Sequence, residues 1–154
     1  MRNCIAFVPL LTLAALAVSL PALASHGKAG LWKETVTSQI AAPGAPAGAG
    51  DKRSSSGEYC RTVDEARTDA PAKVGRDCTQ HNVKWIGATV SGDTVCGPPV
   101  SGAGSFSETF TSDTHYAGGY AFNGSAPGGG AFRMTTHFTA DWVSADCGTV
   151  KPLE

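Results

Sequence analysis

Apolar positions recur at a spacing of two along most of this chain. From Leu31 to Ile40 the even positions include Trp32, Val36 and Ile40, and the odd ones are mostly Lys33, Thr35, Thr37 and Gln39. That alternation predicts a half-buried strand, with Glu34 as a break in the pattern. Residues 41–53, AAPGAPAGAGDKR, hold too much Pro and Gly to continue a ladder and read as a long hairpin tip, with Ser54–Cys60 as the returning strand. Thr79–Trp85 and Thr89–Cys96 form a second pair around Ile86-Gly87, with Ser91-Gly92-Asp93 as a rival turn. Gly97-Pro98-Pro99 breaks the sheet, and Ser101–Thr111, Tyr116–Asn123 and Phe132–Val143 give three more strands. Helical character is confined to 62–74, where Thr62 and Glu65 fit a capping box and Pro71 ends the run.

The stretch HYAGGYAFNGSAPGGGAFRMTTHF, 115–138, carries two histidines and the densest aromatics. With the loop Gly124–Gly130 centred near Pro127, residues of one parity share a face. The even face then holds Tyr116, Tyr120, Phe122, Phe132, Met134, Phe138 and Trp142, and the odd face His115, Asn123, Arg133, Thr135, His137 and Asp141. One face belongs on a core and the other faces water. Phe106 and Phe110 join the aromatic face only if Ser112-Asp113-Thr114 is a three-residue loop, which is therefore expected. The same parity turns Glu108 towards the apolar side, where a carboxylate needs a partner or an edge.

His115 and His137 fall on the polar face, diagonal to one another at ~7–8 Å between Cα atoms. Two imidazoles are weak metal candidates without a third ligand, and Asp141 lies roughly 13 Å along the strand from His137. No metal site and no cofactor is assigned. His81 belongs to another strand, and His26 lies near the expected mature N-terminus, where fraying is usual.

The N-terminus bears on the compartment. Met1-Arg2-Asn3 is basic, 5–20 is almost wholly apolar, and Ala22-Leu23-Ala24 has the small-x-small form read by signal peptidase. A cleaved signal peptide over 1–24 and a single domain over 25–154 are expected, with export to the periplasm and no integral membrane segment after cleavage. Cleavage removes Arg2 and Cys4, taking the formal charge from −1 to −2. No basic cluster supports nucleic-acid binding. Cys60, Cys78, Cys96 and Cys147 remain, an even number that reads as two disulfides in an exported chain. A hairpin centred on Gly87 sets Cys78 opposite Cys96 and leaves Cys60 with Cys147; the alternative is Cys60–Cys78 with Cys96–Cys147. There is no C-x-x-C, P-loop, G-x-G-x-x-G after a strand, or G-x-S-x-G elbow. Asn123-Gly124-Ser125 matches a glycosylation sequon, and Asn-Gly is also ordinary turn chemistry.

Several of these features occur together in one known family. Gly30-Leu31-Trp32, the Pro/Gly-rich tip, Tyr59-Cys60 followed by Thr62 and acidic residues, Asp77-Cys78, the Gly-centred hairpin ending at Cys96, the Thr/aromatic meander and Asp146-Cys147 occur in that order. The series resembles domain-of-unknown-function family 3617, small exported proteins mainly of proteobacteria. The resemblance implies a periplasmic, disulfide-bonded β-protein and no reaction. Two departures are an Ala-rich tip where such proteins often carry Met, and Ala145-Asp146-Cys147 where Gly-Asp-Cys is usual.

The expected fold is mainly β: a curved antiparallel meander sheet or partial barrel of six or seven strands with one short helix. Trp32, Trp85, Phe106, Phe110, Tyr116, Tyr120, Phe122, Phe132, Phe138 and Trp142 are the core candidates. Eight of them (Trp32, Phe106, Phe110, Tyr116, Tyr120, Phe122, Phe132 and Trp142) are candidates to line a site for a small hydrophobic ligand. A non-catalytic binding or envelope-maintenance protein is preferred, and a small metal-dependent enzyme or hydrolase using His115 and His137 is the alternative.

Overall fold

The computed structural model describes residues 26–71 and 77–152. The expected signal segment 1–24 and the end of the helical patch, 72–74, lie outside the described residues. Seven strands form one antiparallel sheet: β1 (Gly30–Ala41), β2 (Asp51–Arg61), β3 (Cys78–Ile86), β4 (Thr89–Cys96), β5 (Ser101–Ser112), β6 (His115–Ser125) and β7 (Ala131–Ser144). Their order is β2-β1-β7-β6-β5-β4-β3, so a five-strand meander is extended at β7 by the first hairpin. The sheet stays open, with β2 and β3 as its two edges. One short helix, α1 (Val63–Arg67), follows β2; its Thr62 Oγ1 accepts from the Glu65 N–H while the Glu65 carboxylate accepts from the Thr62 N–H, the capping box expected from sequence.

Parity governs the two faces. On β5 and β7 the odd positions are mostly exposed and the even ones mostly buried or half-buried, and on β6 the buried residues, Tyr116 and Phe122, are both even. The inner face gathers Trp32, Tyr59, Phe110, Tyr116 and Ala140 into a buried core, against which Trp85, Phe138 and Trp142 pack. Glycines make room for the rings. A Cβ at Gly118 would lie 2.4 Å from the Phe138 ring, and one at Gly124 or Gly102 would lie 2.5 or 2.7 Å from that of Phe122.

Three registers differ from expectation. The β6–β7 loop centres on Gly128, since Ser125 pairs with Ala131, which leaves the parity intact but slides the strands by two residues. Between β5 and β6 the turn is Asp113-Thr114 alone, and Thr111 is bulged out between the pairs Phe110–Tyr116 and Ser112–His115. The bulge supplies the odd residue that a three-residue loop would have supplied, so Phe106 and Phe110 still face inward. At β3–β4 the turn is Gly87-Ala88, and a bulge at Asn82-Val83 opposite Gly92 restores a register centred on Gly87 from His81 to Cys78. Asn82 takes a φ of 52°, the left-handed conformation that Asn tolerates well.

Two disulfides fix the ends of the sheet. Cys78 and Cys96 are directly paired across the β3–β4 hairpin, and Cys60 at the end of β2 bonds Cys147 in the C-terminal tail. The tail then runs beside β2, where Cys60 bridges Pro152. The first residues are held as well. The indole N–H groups of Trp32 and Trp142 donate to the carbonyls of Lys28 and Ala29, and Lys28 pairs with Asp113 at 3.0 Å. His26, expected to fray, instead stacks on Trp85 at 3.9 Å with its side chain only 13% exposed. Its Nδ1 lies 3.1 Å from the Asp69 carboxylate and its Nε2 3.2 Å from the Gly87 carbonyl.

Candidate functional site

The two histidines do not form a site. In the observed register His137 pairs with Gly119 and His115 with Asp141, so the imidazoles stand four strand positions apart, roughly 13 Å. The expected diagonal at ~7–8 Å rested on a loop centred one residue earlier. His115 Nδ1 instead lies 2.7 Å from Asp141 Oδ1 on the outer face, with side chains 38% and 73% exposed. Exposed pairs of this kind contribute little. Among the described residues no group of three His, Cys, Asp or Glu side chains is placed to hold a metal ion.

The aromatic candidates divide between two ends of the inner face. Trp32, Phe110 and Tyr116 are fully engaged in the closed end, with ring centroids 5.1–5.4 Å apart for Phe110–Tyr116 and Trp32–Tyr116. Trp142 backs them with its indole N–H bonded to Ala29, and the Lys28 ammonium lies 5.3 Å from its ring centroid. Phe106 is buried against Gly92. These five fill space. Tyr120, Phe122 and Phe132 lie at the other end, Tyr120 stacked on Phe122 at 5.7 Å between centroids and Phe132 tilted against Phe122 at 5.9 Å.

The closed end contains a polar cluster that parity reasoning only partly located. The Tyr59 and Tyr116 hydroxyls are hydrogen-bonded at 2.8 Å, and Tyr116 Oη also donates to Glu34 Oε1 at 3.5 Å. Glu108, 2% exposed, lies close enough for its charge to act on both phenols. Burial raises both tyrosine pKa values, and the neighbouring carboxylates push the same way. Burial raises Glu34 above the usual carboxylate range, opposed by the hydrogen bond from Tyr116. Arg61, 5% exposed, closes this end: its guanidinium sits 5.5 Å from the Phe110 ring centroid and donates to the Glu65 and Ala70 carbonyls. Thus Glu34, which broke the strand pattern, accepts from this pair of tyrosines, and the charge of Glu108 reaches the same pair. Tyr59 and Arg61 were missed; both are on β2, whose polar sequence gives parity little to work with, and only the pairing of Tyr59 with Trp32 places it inside.

The open end forms a groove. Its cavity of about 470 Å³ is lined by Ile40, Tyr120, Phe122, Phe132, Met134 and Val100, with the Cys78–Cys96 bond and Pro99 at its border. Asp77 is the one charged residue among the described residues that line it. Ile40 stays 44% exposed there and Val100 38%. Burial raises the Tyr120 phenol above its usual range.

The family model for DUF3617, a protein family of unknown function, matches residues 27–147. The chain belongs to the DUF3617 family. That match runs from the Gly27 that packs on Phe110 to the Cys147 that bonds Cys60, and so spans the whole sheet of this DUF3617 member. No curated protein and no solved structure matches the chain.

Proposed function

We propose that this DUF3617 protein is an exported, non-catalytic binding protein of the bacterial periplasm, released from a signal peptide over 1–24. The open end of its curved sheet takes a small apolar ligand, such as a lipidic chain. The observation that carries this is the groove: about 470 Å³, its described lining almost wholly apolar, at the end of the inner face away from the buried core cluster. Pockets of a few hundred Å³ with apolar walls and few polar groups are the usual form of small-molecule sites. Asp77 at the border of the groove is suited to a ligand with an uncharged or cationic head. Two disulfides suit an oxidising compartment.

Native mass spectrometry of protein purified from the periplasm tests this. A reproducible apolar adduct that disappears in Met134→Arg supports the proposal. A bare mass in repeated gentle preparations, or an adduct unchanged in Met134→Arg, overturns it.

A further inference from the structure

The two edges of this sheet are not alike. β3 carries the Asn82-Val83 bulge, which breaks its ladder and twists the edge. β2 has no such interruption, pairing with β1 in unbroken register from Asp51 to Arg61. Its outer side is bridged only at Cys60, by Pro152, among the described residues. Residues 51–58 are exposed, and their strand contains no Pro and no bulge. A straight edge of this kind offers a row of backbone donors and acceptors to another strand.

We propose that the partner is a second copy of this chain, with β2 pairing antiparallel to β2 about a two-fold axis. Such an axis runs perpendicular to the sheet and keeps each face on its own side. Paired residues then share parity, so the axis passes beside a residue and not between two. An axis at Ser55 sets Lys52 of each copy opposite Glu58 of the other, Ser54 opposite Ser56, and Arg53 opposite Gly57. The two Lys52–Glu58 pairs form on the outer face, where both side chains are exposed, and Arg53 meets a residue with no side chain to oppose it. Directly opposed unlike charges favour a strand pair and like charges oppose it. The register ends where the tail covers Cys60, so seven residues of each strand pair, Lys52 to Glu58. The result is a continuous sheet of fourteen strands with β3 at both ends.

Sedimentation equilibrium of the oxidised full-length mature chain tests the proposal, with Lys52→Glu, Glu58→Lys and the double variant beside it. Each single swap is expected to raise the dimer Kd by about tenfold, since it replaces two attractive pairs with two repulsive ones. The double variant restores the charge pairs and is expected to return to within about threefold of the parent. Unchanged near-ultraviolet circular dichroism establishes that each variant keeps its fold. A parent that remains monomeric up to about 1 mM overturns the proposal. So does a dimer indifferent to the swaps, or one that the double variant fails to restore.

Discussion

Glu34 is the residue whose role changes most between sequence and structure. In the strand pattern it is an interruption; in the fold it accepts from the buried Tyr116 hydroxyl, which is itself tied to Tyr59. The sequence marks Glu34 and Glu108 as misfits on an apolar face but cannot show that the Tyr59–Tyr116 pair meets Glu34, because that needs the pairing of β1 with β2 and with β7. The raised pKa of Glu34 has a definite sign in stability. The folded carboxyl keeps its proton to a higher pH than the unfolded one, so the folded state loses relative stability as pH rises through that interval. Glu34→Gln removes the titration. Urea unfolding from about pH 4 to about pH 7 is expected to show wild type losing ground steadily to the variant. A stability difference that stays flat, or that moves the other way, contradicts the proposed burial of this carboxyl.

Strands and faces were the most legible elements. Alternation located six of the strands, and the hairpin tip the seventh, β2, to within a few residues, and the boundaries of β4 coincide with those expected. Parity also put Phe106, Phe110, Tyr116 and Phe122 inside. Register was less legible, because a slide of two residues preserves every face. Nothing in 124–130 distinguishes a loop centred on Pro127 from one centred on Gly128, yet that choice separates His115 from His137. The bulges at Thr111 and Asn82 were equally hidden, since each needs to be counted against a partner strand. Glycines inside strands carried a signal of a different kind: they mark where a ring lies flat across the sheet. Gly118→Ala would push a methyl group against the Phe138 ring and the Ser107 carbonyl, 2.4 and 2.5 Å away. Overpacking of this kind is expected to cost about 1–3 kcal/mol, read as a lower urea midpoint with an unchanged slope.

For the whole molecule, the cross-links carry different weights. Cys60–Cys147 spans 87 residues and Cys78–Cys96 spans 18. Loop-closure entropy then assigns about 4.5 kcal/mol to the first and about 3 kcal/mol to the second. Replacing Cys60 and Cys147 together by Ser is therefore expected to lower the unfolding free energy more than replacing Cys78 and Cys96, as measured by urea denaturation. The reverse order would mean that closing the groove's border matters more than tethering the tail. Function is the least legible at this scale. The groove is made by Ile40, Met134, Phe122 and neighbours from distant parts of the chain, and the pairing of β1 with β7 and of β7 with β6 brings them together.

The bulge on β3 bears on something larger than one molecule. Removing Asn82 would leave Cys78 opposite Cys96, because the ladder would simply run on without its extra residue. The fold would survive the deletion, but its far edge would be straight. A sheet with one receptive edge stops growing at a pair, whereas a sheet with two has no last member. On that view Asn82 serves as a terminator: it sets the difference between an assembly of fixed size and an open-ended fibre.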